Sequence, residues 1–174
     1  MDLDRLNALD GEQAAAALRA CCGSTRWART MADSRPFADR EAMTDAADRI
    51  WASLDPADWL EAFAAHPRIG SGRSGGSGGS GTSEWSDQEQ AGARVAGSDV
   101  QHRLADANRE YEARFGYIFI VCATGKTGDE MLAILESRLA HAPGDELAIA
   151  AEEQRKITRL RLAKLLADAR VTTS

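Results

Sequence analysis

The chain has 174 residues, of which 44% are apolar, and a formal net charge of −6. This length and apolar content suit one folded domain with a sizeable core, and they exclude an intrinsically disordered chain. The acidic balance argues against nucleic acid as a partner, although local arginines can still form a positive pocket for an anionic small molecule.

The sequence contains no membrane or export signal and no disulfide framework. No apolar run reaches the roughly 18 residues of a membrane span, residues 1–6 lack the apolar core of a signal peptide, and the final Thr-Thr-Ser is not a peroxisomal address. The three cysteines, Cys21, Cys22 and Cys122, have no metal-site spacing, and their odd number favours reduced thiols. We therefore expect a cytoplasmic protein with no membrane partner.

Helical periodicity dominates the first part of the chain. Asp10 and Ser24 are predicted N-caps of the first two helices, the first of which covers 12–21, and a third helix is predicted over about 39–53. Asp55 followed by Pro56 opens a fourth helix that runs to residue 65. The predicted apolar faces of these helices carry Trp27, Met31, Met43, Ala46, Ala47, Ile50, Trp51, Trp59, Leu60 and Phe63.

The fourth helix leads to His66, and Pro67 ends it because the residue before a proline is pushed out of the α region. A histidine at the C-terminal end of a helix can exchange a proton near neutral pH. The plainer alternative is that His66 only caps the last carbonyl groups of its helix.

Residues 71–83 contain only Gly, Ser, Thr and one Arg, so they are predicted to form a flexible loop, either an engineered linker or a natural one. Ser86 to Glu89 fit a capping box that opens a long helical stretch ending at Gly116, with a bend or break near Gly97. The apolar run 117–123 is either a short buried strand or a buried extended segment, and no second convincing strand exists to pair with it.

Gly125-Lys126-Thr127 resembles the end of a phosphate-binding loop, but Ile120 stands where that motif requires glycine, so we expect a solvated Lys126. Thr127 to Glu130 form a second capping box and open a helix through residue 139. After a break at 143–145, the last helix starts at Asp145 or Glu146 and reaches about residue 169. Its core-like positions are Leu147, Ala150, Ala151, Ile157, Leu160, Leu162 and Leu165.

These elements predict an all-α fold with one domain over residues 1–174. We expect a compact bundle of seven or eight helices with one short extended apolar segment.

Three polar residues are candidates for a shared site: His66, Glu89 and Arg161. Each has a plainer interpretation. Glu89 fits the return half of a capping box, and Arg161 fits a surface arginine whose stem packs on the protein while its head is solvated. Residue chemistry alone leaves these alternatives open.

The chain resembles the 2-oxo-4-hydroxy-4-carboxy-5-ureidoimidazoline (OHCU) decarboxylase family over roughly residues 3–168, apart from the Gly/Ser-rich loop. Six stretches occur in the family's order, and the series is specific although each motif alone is weak. They are Cys22-Gly23-Ser24-Thr25-Arg26-Trp27, Arg35-Pro36-Phe37, Phe63 to Gly70, Ser86 to Gly92, Tyr117 to Gly125, and Glu153 to Leu162.

The resemblance implies specific roles. The family's catalytic histidine falls on His66 and its acidic partner on Glu89, while its substrate-binding arginine falls on Arg161, with Arg159 as the other registration. Further substrate-binding positions are implied at Pro67, Ser86, Gln90, Phe119, Ile120 and Val121, with Ile120 the preferred main-chain contact.

The implied function is decarboxylation of OHCU to (S)-allantoin, the last step of urate oxidation. The implied enzyme is a carboxy-lyase that needs no cofactor and no metal, binds a small molecule and forms a homodimer. Two alternatives stay open: a ureide hydrolase in which a His–Glu pair activates water, and a non-catalytic helical interaction module.

Overall fold

The computed structural model describes residues 1–69, 85, 88–89 and 91–167. Nine α-helices have both ends within those residues, Trp85, Gln88 and Glu89 are also helical, and no β-strand occurs there. This confirms the all-α class and exceeds the predicted count of seven or eight helices. The predicted flexible loop at 71–83 lies outside the described residues. The helices are α1 (Leu3–Ala8), α2 (Gly11–Cys22), α3 (Thr25–Asp33), α4 (Arg40–Ala52), α5 (Pro56–Ala64), α6 (Ala91–Arg94), α7 (Ser98–Phe115), α8 (Gly128–Arg138) and α9 (Pro143–Ala167).

Local capping explains where several helices begin. The side chains of Asp10, Ser24 and Asp39 each accept a hydrogen bond from a backbone N–H in the first turn of α2, α3 and α4, at 2.8, 3.2 and 2.8 Å. At α8, Thr127 and Glu130 form the reciprocal capping box. The caps at Asp10, Ser24 and Thr127 were predicted and are confirmed, because a cap depends only on neighbouring residues. The cap at Asp39 agrees with the predicted start of its helix.

The structure corrects four predictions. Helix α1 was not predicted, and α9 begins at Pro143 instead of at residue 145 or 146, because proline fits the first turn of a helix. Leu60 and Leu160, both expected in the core, are 40% and 37% exposed. Lys126 is half-buried, and its ammonium group donates to the carbonyl of Cys122 at 2.7 Å instead of standing in solvent.

Contacts within the chain divide it into two compact units. The first contains Met1–Ala62 and the chain from Arg155 onward, and the second contains Phe63–Gln154. Helices α5 and α9 each contribute residues to both units. No helix in the described part of the chain is long and apolar enough to span a membrane.

In the first unit, α2 packs on α3 and α3 packs on α4. Trp27 is fully buried there, and its indole N–H donates to the carbonyl of Ala47 at 3.1 Å, so the largest side chain of the core has its polar atom satisfied. Arg35 closes the end of α1 by donating to the carbonyls of Leu6 and Leu9 at 2.6 and 2.8 Å.

In the second unit, α7 and α8 pack against each other around a buried aromatic and aliphatic cluster. Tyr111 is central to it: its ring lies 4.7 Å from that of Phe115 and 5.4 Å from that of Phe119, measured between centroids. Helix α6 also packs on α8. The break predicted near Gly97 is confirmed, because α6 ends at residue 94 and α7 begins at residue 98.

Candidate active site

His66 lies just beyond α5, in a turn closed by its own backbone N–H, which donates to the carbonyl of Phe63 at 3.1 Å. Its ring is half-buried, and Nε2 lies 2.7 Å from the side-chain Oε1 of Gln154 on α9. Pro67 follows and is exposed. The ring of His66 is therefore held by a buried side chain far away in sequence, which a simple helix cap does not require.

Gln154 was not identified as a site residue from the sequence, although it lies inside one of the motifs that carry the family resemblance. It is fully buried on α9, in the same stripe as Ala150, Ala151, Ile157 and Thr158. A glutamine at a core-facing position of a helix is the signal that marks it, because a buried amide requires hydrogen-bond partners.

Glu89 is helical and only 8% exposed. The pKa of the Cys122 thiol is raised chiefly by burial, with contributions from the negative charges of Glu153 and Glu89, while Lys126 opposes the shift. The Glu89 carboxylate therefore lies within electrostatic range of the apolar segment. Ser86 and Gln90, its predicted neighbours in the site, lie outside the described residues.

Residues 118–123 form neither helix nor strand, and the part of the chain that the structure describes contains no strand to pair with them, so the predicted alternative of a short buried strand is wrong. Phe119, Ile120 and Val121 are all buried. Because buried backbone groups need partners, charged side chains take the place of a sheet. Arg138 donates to the carbonyl of Ile120 at 2.7 Å, and the N–H of Cys122 donates to a carboxylate oxygen of Glu153 at 2.7 Å.

Arg138 is held in turn by a buried carboxylate. The side chain of Glu146 is fully buried and accepts hydrogen bonds from Arg138, from the Tyr111 hydroxyl and from His141, the last at 2.8 Å. The Arg138 guanidinium also lies 4.7 Å from the centre of the Phe119 ring. This network fixes the backbone of the apolar segment from one side.

Arg161 lies in the first unit, and its side chain is only 4% exposed, so the interpretation as a solvated surface arginine is wrong. It lies close to Cys22, a thiol whose pKa is raised to about 12 by burial, with Arg161 opposing that shift. The protonated thiol supplies no negative charge next to the guanidinium. Arg159, the other registration, is nearly half exposed and is paired with Asp48.

The second unit therefore contains His66, Pro67, Glu89 and the segment Phe119–Val121, whereas Arg161 belongs to the first unit. Two adjacent residues of α9 link the histidine to the segment, since Gln154 contacts His66 and Glu153 binds the backbone of Cys122. Convergence of Arg161 with the histidine and the carboxylate stays a prediction. Among the described residues, no group of three or more His, Cys, Asp or Glu side chains is arranged to hold a metal ion.

Comparison with known proteins places this arrangement in a family. The family model described as OHCU decarboxylase matches residues 7–163, which is most of the chain. The chain belongs to the OHCU decarboxylase family. The resemblance that the sequence motifs suggested is thereby confirmed, and with it the prediction of an enzyme family of carboxy-lyases.

Two relatives and one solved structure show how far the likeness extends. A uric acid degradation bifunctional protein of Arabidopsis thaliana is 43% identical over 86% of this chain, which spans only 46% of that protein's length. The OHCU decarboxylase of Amia calva is 30% identical over 76% of this chain and 75% of its own length. A crystal structure of OHCU decarboxylase determined in the presence of (S)-allantoin is 37% identical, with a TM-score of 0.76, and the match covers 88% of this chain and 99% of that one.

Within this OHCU decarboxylase fold, the family motifs divide into two kinds. Some hold the helices together: Arg35 closes α1, and Asn7 exchanges side-chain hydrogen bonds with both backbone groups of Phe37, at 2.9 and 3.0 Å. Others, around His66, Glu89 and the apolar segment, place ionisable or backbone groups in one unit. That the residues of this second kind carry the chemistry stays a prediction.

Proposed function

We propose that this chain catalyses the decarboxylation of OHCU to (S)-allantoin and carbon dioxide, the last step of urate oxidation. The observation that carries the proposal is the match over 88% of the chain to an OHCU decarboxylase crystallised in the presence of (S)-allantoin. A half-buried imidazole and a buried carboxylate in the second unit, on His66 and Glu89, suit proton chemistry on a small substrate.

The reaction has a simple balance of atoms and electrons. The bond between the carboxylate and its ring carbon breaks, carbon dioxide leaves, and the electron pair is delocalised through the C=N group of the imidazoline ring. The hydroxyl on the same carbon then loses its proton and becomes a carbonyl, while the neighbouring ureido-bearing carbon gains a proton. The ring nitrogen that takes up the electron pair gains a further proton from solvent, which neutralises the charge left by the carboxylate. One proton is therefore lost and two are gained, and the protein must supply orientation, charge stabilisation and a group that moves protons on one face.

The roles of the residues follow from this balance. His66 moves the proton between the hydroxyl and the carbon, and Glu89 holds the imidazole in the useful protonation state and contacts the substrate. Arg161 binds oxygen atoms of the substrate with its planar guanidinium. Pro67, Ser86, Gln90 and the main chain at Phe119, Ile120 and Val121 position the ring and the ureido arm.

The proposed enzyme is a cytoplasmic homodimer that acts on a small molecule. Three cysteines without disulfide bonds support a reducing compartment. The dimer is implied by the family resemblance, and light scattering of the purified full chain measures it: twice the chain mass supports the dimer, and the monomer mass contradicts it.

The deciding experiment supplies freshly generated OHCU and records carbon dioxide and optically active allantoin together. We expect accelerated release of carbon dioxide and a single enantiomer, because spontaneous protonation in water occurs on both faces. A hydrolase would consume substrate without forming allantoin, and a non-catalytic module would leave the spontaneous rate unchanged.

His66→Asn tests the histidine. We expect kcat to fall by about 10²–10⁴-fold, the usual contribution of general acid–base catalysis, with the fold retained. His102→Asn is the matched control, because His102 is exposed on α7. Equal activity of both variants would remove His66 from the mechanism.

A further inference from the structure

The contact between His66 and Gln154 is an interaction of the candidate site that the family-derived roles do not use. The two residues are 88 positions apart in the chain, and both belong to the second unit. Gln154 is fully buried, and its Oε1 lies 2.7 Å from Nε2 of the ring. A glutamine has a long, flexible side chain, so holding it in this one place has an entropic cost that its hydrogen bond to the ring helps to offset.

We propose that Gln154 is a positioning residue for the decarboxylation: its amide oxygen accepts the Nε2–H of His66, fixes that tautomer, and assigns proton exchange with the substrate to Nδ1. This inference rests on the proposed function. It names which ring nitrogen performs the chemistry and which residue of the chain determines that choice.

The side-chain amide oxygen of Gln154 determines which ring nitrogen of His66 carries the proton. A carbonyl oxygen only accepts hydrogen bonds, so Nε2 carries a proton whether the ring is neutral or charged. The partner of a histidine sets its tautomer in this way. Because the amide is neutral, it orients the ring without adding a negative charge that would favour the imidazolium, so the ring can both take up and release the proton.

The helix that carries Gln154 is itself anchored. The preceding residue, Glu153, accepts a hydrogen bond from the N–H of Cys122 at 2.7 Å, and Ala150 and Thr158, one turn away on either side, are buried. The same short stretch of α9 therefore sets both the direction of the His66 ring and the position of the apolar segment.

The first measurement is the tautomer of His66 in the full-length protein, read from heteronuclear NMR of the imidazole nitrogens. We expect a proton on Nε2 in the neutral ring. An amide turned the other way would donate to Nε2 and leave the proton on Nδ1, and that result would overturn the proposal even if every variant failed to fold. In Gln154→Met, which keeps the length of the side chain without its polar atoms, we expect the preference for Nε2–H to weaken.

The second measurement uses Gln154→Glu, which replaces a neutral acceptor by a carboxylate at the same place. We expect the pKa of His66, followed by NMR titration, to rise by about 1–3 pH units. The acid limb of the pH–rate profile should move by the same amount. Gln101→Glu is the matched control, because the Gln101 amide donates to the carbonyl of Ala96 at 2.9 Å at the start of α7. A folded Gln154→Glu protein whose His66 titrates like that of the control contradicts the proposal.

Kinetics complete the test. In Gln154→Met we expect kcat to fall about 10–100-fold, by analogy with the loss seen when the hydrogen-bond partner that orients a metal-binding histidine is removed, with little change in KM. An equal loss with an unchanged tautomer would mean a purely structural role. If the wild-type chain leaves the spontaneous decay of OHCU unchanged but His66 shows the Nε2–H tautomer and the expected titration, the decarboxylase proposal fails while the contact itself stands.

Discussion

At the scale of single residues, the most consequential side chain outside the proposed chemistry is Glu146. Burial alone would raise the pKa of its carboxyl group, but hydrogen bonds from Arg138, Tyr111 and His141 outweigh burial and lower it. The carboxylate compensates the buried guanidinium that holds the carbonyl of Ile120. A buried carboxylate with three donors is tolerated where an unpaired one is not.

Glu146→Gln should therefore destabilise the protein by about 3–5 kcal/mol at neutral pH, because it leaves the Arg138 charge buried without its partner. Chemical denaturation measures this free energy of unfolding. Glu136→Gln, on the same helix as Arg138, is the control: the Glu136 side chain is 47% exposed in its pair with Arg103, and we expect a loss of at most about 1 kcal/mol. Similar losses in both variants would contradict the importance of the buried pair.

The same variant has a pH signature. The pKa of Glu146 is lower in the folded state than in the unfolded state. The ionised carboxylate therefore stabilises the folded protein fully above about pH 4.3, and this stabilisation is lost as the pH falls through the folded-state pKa. The wild-type protein should lose more stability on acidification than Glu146→Gln does, so the two curves should converge at low pH. Parallel curves would exclude this carboxylate as a source of acid sensitivity.

The residue scale also shows the limit of apolar periodicity. The spacing predicted Leu147 in the core, but its neighbour Glu146 is fully buried and Leu147 is only partly so. An apolar pattern ranks residues by hydrophobicity, so it does not show that the Glu146 carboxylate accepts hydrogen bonds from three side chains on three different parts of the structure. Gln154 was overlooked for the same reason.

At the scale of elements, the short helix α6 packs closely against the loop that precedes α8. A Cβ atom added at Gly92 would lie 1.9 Å from the carbonyl oxygen of Lys126, far inside van der Waals contact. Position 92 therefore has no room for a Cβ atom, and only glycine fits there without a shift of the backbone. Glu89 lies three residues before Gly92 and is also helical, so this close approach bears on the placement of the proposed catalytic carboxylate.

Gly92→Ala should lower the free energy of unfolding by about 1–3 kcal/mol, the usual effect of overpacking, although alanine is the better helix former. Urea denaturation measures the change. Gly144→Ala is the control, because no atom lies within 4 Å of an added Cβ in the first turn of α9. A neutral or stabilising effect at both positions would show that α6 can move away from the loop.

Elements were predictable where their causes are local. The caps at Asp10, Ser24, Asp39 and Thr127 use hydrogen bonds between near neighbours, and each helix begins where its cap indicates. Helix α1 escaped prediction because its six residues are too few to show a periodic pattern. The apolar run 117–123 remained ambiguous because its backbone partners, on Arg138 and Glu153, lie outside it in the sequence.

At the scale of the whole molecule, the division into two units raises the question of cooperativity. We propose, as the sequence suggested, that residues 1–174 fold as one domain. Helices α5 and α9 run without interruption from one unit into the other, which supports this proposal.

Leu18→Ala and Leu135→Ala test whether the two units unfold as one domain, because each substitution truncates a fully buried side chain in a different unit. We expect each variant to lose about 2–5 kcal/mol and to shift the whole thermal transition, with helix content and tryptophan fluorescence changing together. Trp27 reports on the first unit. A transition that splits into two steps in either variant would show that the units unfold separately.

The site could be predicted from sequence only as far as the motifs reach. His66 and Glu89 stand in motifs that the resemblance supplied, and both are at least half-buried in the structure. The sequence around His66 does not indicate that its ring contacts the side-chain amide of Gln154 on α9. Such pairings depend on the path of the whole chain, which composition and periodicity do not encode.

The way in which the apolar segment is held has a consequence for changing substrate scope. Arg138 and Glu153 bind main-chain atoms of Ile120 and Cys122, so the side chains of Ile120 and Val121 take no part in that anchoring. Because both side chains are buried and Val121 belongs to the core cluster of the second unit, libraries at these two positions should be limited to apolar residues of similar volume, so that the packing and the path of the polypeptide are kept. The same libraries should leave Arg138 and Glu153 untouched, because an altered anchor would move every atom that the segment presents.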